Sequence, residues 1–559
     1  MLRKGLVWML VLAFCLGVVG LSPAQQSSKP LAVVSYAGYD RAMKTLEFLG
    51  QLGGKPDLAT GVEQMLKMMT GGQGLAGLDP KRPWGLVVRT EATQIDGYLF
   101  FPVTDLKQLL TAITPLIGVV TETGGVFKIE RGAQTFFVKK QGNWAFAASK
   151  ESELVKLPDD PASLLGELPK NYLWAGRVFV ANLPDELRDL VVSRIQMIAQ
   201  TAVEQAQGPD QELMRQQLQQ SLARLEQAAK ELDQVTLGLE IDRQTRKAHL
   251  DVQVTAKTGT KAAKDIAGVG APKTDYAGFL DPKGTIKGNW CRTAGTPPTT
   301  EEINKQIDAV RKQAVNQLES VGLAEDDMKT VKQILDDGLD VARQTASSGR
   351  VDGGLIALLD PKSATLVAGG RIAGGAKLDA ALKRLATLAT QSIPDAATMI
   401  KMNVGTLSGM QLHTASVPVP PDVENRDQLV KLVGEDLEVV VAVGDESVYL
   451  ALGRNAMAEL KKVVERSQAE RGKTAVPFQL SAALVPLSKF LSTIGSQQMQ
   501  QNWSRIHDQV KPLAGKDALR LTASPMERGI QVRLEAEEAV LKAAASSAPI
   551  GGPMPLPSP

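Results

Sequence analysis

The sequence predicts an α+β protein made of two similar tandem domains, each an antiparallel sheet with helices packed on one face. Two stretches carry most of this prediction, Gln134 to Lys156 and Leu437 to Lys461. Each has an apolar run, a tight polar turn, a second apolar run and a short helix-like segment, which is the pattern of a β-hairpin followed by a helix. Hairpins flanked by helices, without a run of βαβ units, indicate layered sheet and helix.

The same order of elements occurs twice, over residues 31–270 and again over residues 271–545. The order is strand, strand, helix, hairpin, helix, strand, long helix, hairpin. Alignment by this order pairs residues 84–90 with residues 353–359. It is preferred over alignment by the recurring string Leu-Asp-Pro-Lys, because Asp-Pro is a common turn pair that recurs by chance.

In the first copy, strands are predicted where apolar and β-branched residues run between turn residues. They cover residues 31–36, 84–90, 94–103, 126–130, 172–181, 235–241 and 249–256, in addition to the hairpin already described. Helices are predicted where apolar residues recur at helical spacing, over residues 39–52, 62–69 and 105–116.

Two long helices are predicted over residues 185–207 and 210–232, separated by Gly208-Pro209. Four leucines of the second could line one seam: Leu213, Leu218, Leu222 and Leu225. A helical hairpin packed on its own domain is favoured over a coiled-coil surface for a partner, because the seam is too short for a sustained heptad repeat.

The second copy repeats these patterns and adds an insertion. Predicted strands cover residues 285–292, 353–359, 364–372, 478–485, 519–523 and 530–536. Predicted helices cover residues 300–321, 325–345, 377–389, 455–466, 487–509 and 537–545. The insertion, residues 417–436, opens with a proline-rich loop at residues 417–421. Because excursions from a shared core often carry function, a binding site is expected in it or in the long helices of the first copy.

The two ends of the chain are predicted to lie outside the domains. Arg3 and Lys4 precede an apolar run from Leu6 to Val19, and Ser22-Pro23-Ala24 supplies small residues for cleavage. This order predicts a signal peptide over residues 1–24 and an exported mature chain beginning at Gln25. Residues 546–559 are rich in Pro, Gly and Ser and are predicted to be disordered.

Composition narrows the classes of function. The chain has 63 basic and 61 acidic residues, a net charge of +2, and this even balance gives no general attraction to nucleic acid or to an anionic membrane. No segment after the leader has 18 uninterrupted apolar residues, which predicts no integral membrane segment in the mature chain. Removal of the leader takes Cys15 and leaves Cys291, so no internal disulfide is expected. Cys291 follows Trp290 in a predicted strand, and a buried inert thiol is the favoured interpretation.

No motif predicts a catalytic, cofactor-binding or metal-binding residue. Gly72 to Gly77 matches G-x-G-x-x-G, but a helix precedes it and a strand follows, the reverse of a dinucleotide fingerprint. His249, His413 and His507 have no second histidine at zinc-ligand spacing. Ser408 does not lie in a G-x-S-x-G elbow.

Two groups of acidic residues lie in predicted helices. Glu325-Asp326-Asp327 begins a predicted helix, where negative charge complements the helix dipole. Asp336, Asp337 and Asp340 share part of a helix and could bind a cation, yet they lack the loop of a calcium site. A solvated acidic face is favoured for these three carboxylates.

In its signal peptide, length, low cysteine content and repeated strand–hairpin–helix plan, the chain resembles a group of exported proteins of unassigned function typical of planctomycete-like bacteria. The resemblance implies no catalytic residue. The favoured function is a non-enzymatic envelope or periplasmic module that binds a protein or a small apolar ligand. Two alternatives stay open: a hydrolase with an unrecognised site, and a carrier of apolar molecules. An apolar cleft with convergent polar groups would favour the hydrolase, and an exposed apolar patch without them would favour binding.

Overall fold

The computed structural model describes residues 29–91, 94–186, 188–189, 193–194, 197, 201, 226–227, 230–293, 299–319, 322–393, 395–423 and 425–547. They divide into two units. The first contains the described residues up to Ala263 together with those from Leu541, and the second is Lys264–Val540. Both units consist of antiparallel strands and helices, which confirms the predicted α+β class.

The first unit contains ten strands within the described part of the chain. They are β1 Pro30–Tyr36, β2 Trp84–Glu91, β3 Gln94–Pro102, β4 Val119–Thr123, β5 Val126–Arg131, β6 Gln134–Gln141, β7 Trp144–Ala148, β8 Trp174–Val178, β9 Leu232–Asp242 and β10 Lys247–Ala256. Its helices are α1 Tyr39–Leu52, α2 Leu58–Met69, α3 Leu106–Ile117 and the short α4 Leu168–Asn171, with 3-10 turns at Glu151–Leu154, Pro161–Leu165 and Val180–Asn182. Helix α5, Lys261–Val269, contains the point where the chain enters the second unit.

The strands of the first unit pair in the order β4-β5-β6-β7-β3-β2-β1-β8-β9-β10, each antiparallel to its neighbours. The hairpin of β6 and β7 lies between β5 and β3 in this order. Strand β1 lies between β2 and β8, so the first strand of the chain holds the two halves of this sheet together.

The second unit contains a matching set of strands. They are the two-residue β11 Lys273–Thr274, then β12 Ile286–Thr293, β13 Arg350–Asp360, β14 Ser363–Arg371, β15 Ile400–Leu407, β16 Met410–Pro418, β17 Asp436–Gly444, β18 Ser447–Gly453, the two-residue β19 Lys473–Thr474, β20 Phe478–Ala483, β21 Ala518–Met526 and β22 Gly529–Ala536. Its helices are α6 Thr300–Glu319, α7 Glu325–Ser347, α8 Gly375–Ser392, α9 Ala396–Met399, α10 Arg426–Val433, α11 Ala456–Ala469, α12 Leu484–Leu491 and α13 Gln497–Val510, followed by α14 Glu538–Ser547, along which the chain returns to the first unit.

The two sheets share one topology. With β11 and β19 set aside as a separate pair, the second sheet has the order β15-β16-β17-β18-β14-β13-β12-β20-β21-β22. Counted along the chain, each strand of this sheet takes the place that the strand of the same rank takes in the first sheet. Strands that share a place are called equivalent below; β2 and β13 are equivalent, as the element-order alignment paired them. The shared topology supports the tandem duplication, which stays a prediction.

Apolar side chains pack on both faces of the first sheet. On one face, Phe100 and Phe146 are fully buried with Leu154, Leu165 and Leu168 from the short helical segments. On the other face, α3 contributes its leucines to a second buried cluster that includes Val138 and Ala145. Because successive strand residues point to opposite faces, Ala145 and Phe146 belong to different clusters although they are neighbours in β7.

The core of the second unit lies between its sheet and α11. Val367, Val440 and Ala451 from the sheet are fully buried against Leu460 and Val464 of the helix. Helix α8 lies on the opposite face, where its Asp379 meets His413 of β16. Helices therefore cover both faces of the second sheet.

Several predicted elements differ from the structure. Strands β4, β15 and β16 are absent from the prediction. Strands β4 and β15 are edge strands that bury few side chains, although Ile400, Met402 and Val404 alternate with other residues in β15. Strand β16 runs to Pro418, into the predicted proline-rich loop. The single helix predicted over residues 487–509 is two helices, α12 and α13, and Gly495 with φ of 81° lies between them. The helix expected after the first hairpin is only the 3-10 turn Glu151–Leu154.

Other predictions fall outside the described residues. The signal peptide lies wholly outside them, and of the disordered tail only Ser546 and Ser547 are described, as the end of α14. Most of the predicted helices over 185–207 and 210–232 also lie outside, and the second reaches Leu232, where β9 begins. Among the described helices, none combines the length and the hydropathy needed to cross a bilayer.

Candidate functional site

His413 has both ring nitrogens engaged. Its Nε2 lies 2.8 Å from Asp379 Oδ1. The backbone N–H of Asn403 donates to its Nδ1 over 3.2 Å. Nδ1 is therefore the acceptor, and Nε2 carries the proton that it donates to the carboxylate. With no lone pair left for a substrate, this Asp–His pair connects α8 to the β15–β16 hairpin and does not act as a general base.

The environment of Asp379 agrees with this role. Burial by itself would raise the pKa of this carboxyl, but hydrogen bonds from Lys383 and His413 outweigh burial and lower the pKa below its usual range. An ionised Asp379 accepts from both neighbours. The group is therefore a stable hydrogen-bond acceptor rather than a proton donor.

His507 forms the second histidine pair, with Ser488. Ser488 Oγ lies 3.2 Å from His507 Nδ1 and donates to the carbonyl of Val485 over 2.9 Å. A Ser–His pair is part of a hydrolytic triad, but the nucleophile must be accessible and a third group must orient the base. Ser488 is completely buried, and Asp508, the nearest acid in sequence, bonds Lys511 over 2.9 Å. The pair joins α12 to α13.

The third histidine belongs to the most site-like constellation of the first unit. Tyr172 donates its hydroxyl hydrogen to Asp251 Oδ2 over 2.9 Å, and Gln253 Nε2 donates to the Tyr172 oxygen over 3.0 Å. His249 Nε2 lies 3.8 Å from the same carboxylate, and its ring meets the Tyr172 ring edge-on. Asp251 has no solvent exposure, so the carboxylate is closed to substrate. Its role is to hold Tyr172.

Gly238 makes room for this tyrosine. A Cβ added at Gly238 would come within 2.6 Å of the Tyr172 ring. The ring therefore lies directly on the backbone of β9, and only glycine fits beneath it. The network depends on strand pairing, because β9 places Gly238 directly opposite Asp251 of β10.

A buried carboxylate also anchors the start of the second unit. Asp352 on β13 accepts hydrogen bonds from the Thr274 hydroxyl at 2.6 Å, the Asp275 N–H at 2.9 Å and Arg350 at 3.0 Å. Loss of hydration on burial raises the pKa of Asp352, although these donors oppose the shift. Each carboxylate oxygen is used, so the cluster connects the segment before β12 to β13.

Cys291 lies beside this cluster and is buried as predicted, with 1% of its surface exposed. Burial, with the nearby Asp352 charge, raises the pKa of the thiol to about 11. A nucleophilic or metal-binding cysteine needs a lowered pKa. Among the described residues, no group of three His, Cys, Asp or Glu side chains is placed to hold a metal ion.

The three aspartates of α7 are paired with the protein's own cations. Asp336 accepts from Arg311 of α6 over 2.6 Å. Asp337 bonds Arg384 of α8, and Asp340 bonds Lys377 of α8 over 2.5 Å. Where the sequence favoured a solvated acidic face, the structure places ion pairs that connect α7 to its two neighbouring helices.

The remaining motifs are turns and surface segments. Gly72 to Gly77 connects α2 to the segment before β2, so a helix precedes it and a strand follows. Two concavities among the described residues lie along α6 and are lined mainly by polar and charged residues such as Asp308 and Arg311. Both are open to solvent, so neither encloses a ligand.

One face of β8, β9 and β10 exposes aliphatic side chains. Directly paired residues share a face, and the register pairs Val178 with Val235, Leu237 with Val252, and Leu239 with Leu250. These six residues are the first apolar patch. Val178, Leu237 and Leu250 are 42%, 37% and 37% exposed.

The equivalent strands of the second unit carry the same feature. Their second apolar patch consists of Phe478, Leu480, Leu519, Leu521, Val532 and Leu534. The register aligns Leu480, Leu521 and Leu534 across β20, β21 and β22, and Phe478 pairs with Ala523, which pairs with Val532. Leu519, Val532 and Leu534 are 38%, 37% and 39% exposed.

The opposite face of these strands is polar in both units. In the first unit, Arg177 donates to Thr236 over 3.0 Å and Glu240 bonds Arg41 of α1 over 2.7 Å. In the second, Arg520 bonds Glu535 and Glu537, each over 2.8 Å. Polar side chains on the polar face therefore have hydrogen-bond partners, whereas several side chains on the apolar face are exposed to solvent.

Sequence reasoning did not identify these patches. The runs VTLGLEI in β9 and VRLEA in β22 alternate, which shows that one face is apolar. Alternation alone does not distinguish a face that is covered from one that is exposed.

Comparisons of the chain with protein-family models, with curated proteins and with solved structures find no match.

Proposed function

We propose that this chain is an exported, non-enzymatic binding protein whose apolar patches receive an apolar ligand. The observation that carries the proposal is the exposure of aliphatic side chains on equivalent strands of both units. The exposed residues are Val178, Leu237 and Leu250 in the first unit and Leu519, Val532 and Leu534 in the second. Exposed apolar clusters of this kind are typical of binding surfaces. Export rests on the charged, apolar and small-residue regions of residues 1–24.

The chemistry of the patches favours a hydrocarbon ligand over a protein surface. Their exposed members are all Leu or Val, and the aromatic side chains on the same faces, Trp174 and Phe478, are half-buried. Protein interfaces use Trp, Tyr and Arg as anchors, because these combine large contact area with hydrogen bonds. An acyl chain or similar hydrocarbon needs only apolar area, and each buried methylene contributes about 0.8 kcal/mol.

The alternative of a hydrolase receives little support from the described residues. His413 has no free nitrogen, Ser488 beside His507 is buried, and Asp251 beside His249 is closed to solvent. Cys291 has a raised pKa. A hydrolytic site needs an accessible nucleophile next to an oriented base, and these four places do not provide one.

The test uses a neutral apolar fluorophore, N-phenyl-1-naphthylamine, and two charged substitutions. Leu237→Glu places a carboxylate in the first patch and Leu534→Glu places one in the second. We expect each to weaken fluorophore binding at least about tenfold at its own patch, since a buried leucine contributes about 1.5–3 kcal/mol. Added fatty acid should displace the fluorophore from the unsubstituted protein.

Leu385→Glu is the matched control. Leu385 lies on α8, outside both patches, and is 46% exposed. Circular dichroism should show that all three variants are folded. If the control loses binding as strongly as the patch variants, or if no variant does, the patches are not the binding surface. Turnover of short-chain ester substrates by the purified protein would favour the hydrolase instead.

A further inference from the structure

The two sheets differ at the end where β4 and its equivalent β15 form the edge. In the described structure, β4 pairs with β5 and β15 pairs with β16, each on one side. Strand β15 is interrupted: its register shifts between Lys401 and Gly405, and Asn403 has φ of 54°. A bulge and an exposed lysine on an edge are devices that prevent another strand from adding.

Strand β4 lacks these protective features. Its sequence is Val119-Val120-Thr121-Glu122-Thr123, without proline or lysine, and it pairs with β5 without a register shift. Val119 is 63% exposed, and Thr121 and Glu122 are exposed too. β-branched residues favour the extended conformation, so this edge is ready to accept a further strand.

The turn after β4 determines which backbone groups face outward. Gly124 and Gly125 both have positive φ, 59° and 80°, as in a type I′ turn. Such a turn closes on a hydrogen-bonded pair, here Thr123 and Val126. Hydrogen-bonded and non-hydrogen-bonded pairs alternate along an antiparallel ladder, so Val120 and Glu122 point their N–H and C=O groups away from β5. No described residue bonds these four groups.

We infer that β4 pairs with β4 of a second copy of this chain, antiparallel and across a two-fold axis through Thr121. This register places Val120 opposite Glu122 of the other copy and forms four backbone hydrogen bonds. Centring the axis on Glu122 would place Val120 opposite Gly124 of the other copy, whose φ of 59° is that of the turn and not of a strand. Centring it on Val120 would require Gly118, whose φ of 101° is not that of a strand. The strand is self-complementary only about Thr121.

A five-residue edge buries little surface, so the dimer is weak and reversible. Sedimentation equilibrium of the full chain over a concentration series should therefore show a monomer–dimer equilibrium. Thr121→Lys would bring two ammonium groups together at the axis, and we expect it to lower the association constant about two- to fivefold. Val404→Lys is the matched control, since Val404 is 44% exposed on β15. It should leave association unchanged.

Cysteine crosslinking tests the register of the β4–β4 pair. The experiment uses a chain in which Cys15→Ser removes the cysteine of the leader, and the remaining Cys291 is buried. In this register, Thr121 of one copy lies opposite Thr121 of the other copy in a non-hydrogen-bonded pair. The two Cα atoms are then about 4.5 Å apart, a distance that a disulfide can bridge. Thr121→Cys should form a covalent dimer on mild oxidation. Val119→Cys should not, because Val119 faces Thr123 of the other copy.

The inference fails if the unsubstituted chain is monomeric at every concentration. It also fails if both lysine variants weaken association equally, or if Val119→Cys crosslinks as readily as Thr121→Cys. A dimer insensitive to Thr121→Lys would place the interface elsewhere. Heteromeric capture of an extended segment by β4, without self-association, would assign the edge to a different partner and overturn the inference.

Discussion

At the scale of single residues, burial decides chemistry in this protein. Cys291, Asp251, Ser488 and Asp352 are of types that serve in active sites, yet each is at most 3% exposed. Each has a hydrogen-bond partner within the protein, such as the Val476 carbonyl 3.4 Å from the Cys291 sulfur. A reactive group that is closed to solvent and already bonded stabilises the fold instead of acting on a substrate.

The Cys291 thiol should be inert in the folded protein. Its folded pKa of about 11 exceeds the ordinary 9.0, so the folded state holds the thiol proton more tightly than the unfolded state does. The contribution of the protonated thiol to the free energy of unfolding is therefore complete below pH 9 and is lost as the pH rises toward 11. At pH 8, a chromogenic disulfide reagent should not react with the folded mature chain and should react fully in denaturant. Rapid reaction without denaturant would contradict this.

Gly238→Ala should destabilise the first unit, because its Cβ would come within 2.6 Å of the Tyr172 ring. We expect a loss of about 1–3 kcal/mol in the free energy of unfolding, the usual cost of overpacking. Gly176→Ala is the control, since on β8 the nearest atom to an added Cβ is 3.9 Å away. Urea denaturation followed by circular dichroism measures both variants, and equal losses would show that the tyrosine contact is unimportant.

At the scale of elements, long-range contacts decide how helices attach to the sheets. The sequence favours a solvated acidic face for α7, and in the structure its aspartates pair with cations of α6 and α8. The partners of the Asp337–Arg384 pair are 47 residues apart. Local spacing therefore identified α7 as a helix but gave no information on which cations it meets.

The pairs of α7 should differ in strength because they differ in exposure. The Asp337 side chain is 14% exposed and faces both Arg384 and Lys377, whereas the Asp336 side chain is 45% exposed. Asp337→Asn should lower the free energy of unfolding by about 1–2 kcal/mol, since it leaves a partly buried cation without its partner. Asp336→Asn should lower the free energy of unfolding by less than about 0.5 kcal/mol, because this pair is exposed to solvent. Thermal unfolding at low and high salt distinguishes them, and a larger loss for Asp336→Asn would refute the argument.

At the scale of the whole molecule, the shared strand order makes a geometric prediction. The strands β1 to β10 should superpose on their equivalents β12 to β22, with the largest differences where the connections differ in length. One such place is between the first two strands, where α6 and α7 have 20 and 23 residues against 14 and 12 in α1 and α2. An experimental structure in which equivalent hairpins occupy unrelated positions would refute the duplication.

The N-terminal sequence predicts how the molecule reaches its compartment. Cleavage after Ala24 should leave Gln25 as the first residue of the exported chain. Intact-mass spectrometry of protein recovered from outside the cytoplasm measures this directly. A chain that retains Met1 and stays with the membrane would contradict the prediction.

Much of the fold was readable because its signals are local. The hairpin predicted within residues 437–452 is β17 and β18, and the spacing at 377–389 falls within α8. Strands with alternating apolar residues and helices with an apolar stripe carry their own evidence. Edge strand β15 is absent from the prediction although Ile400, Met402 and Val404 alternate with other residues in it. It buries few side chains, and pairing with β16 defines it.

The sequence by itself determined the class, most of the elements and the repeated order, since these follow from the spacing of apolar residues. The tertiary structure decided what each polar group meets and which apolar face stays exposed. Tyr172 reaches Asp251 across 79 residues only because β8, β9 and β10 are neighbours. The patches likewise exist because strand pairing places Leu237 and Leu250 on one face. Contacts of this kind depend on register and sheet order, which are set by the whole chain rather than by any short stretch of it.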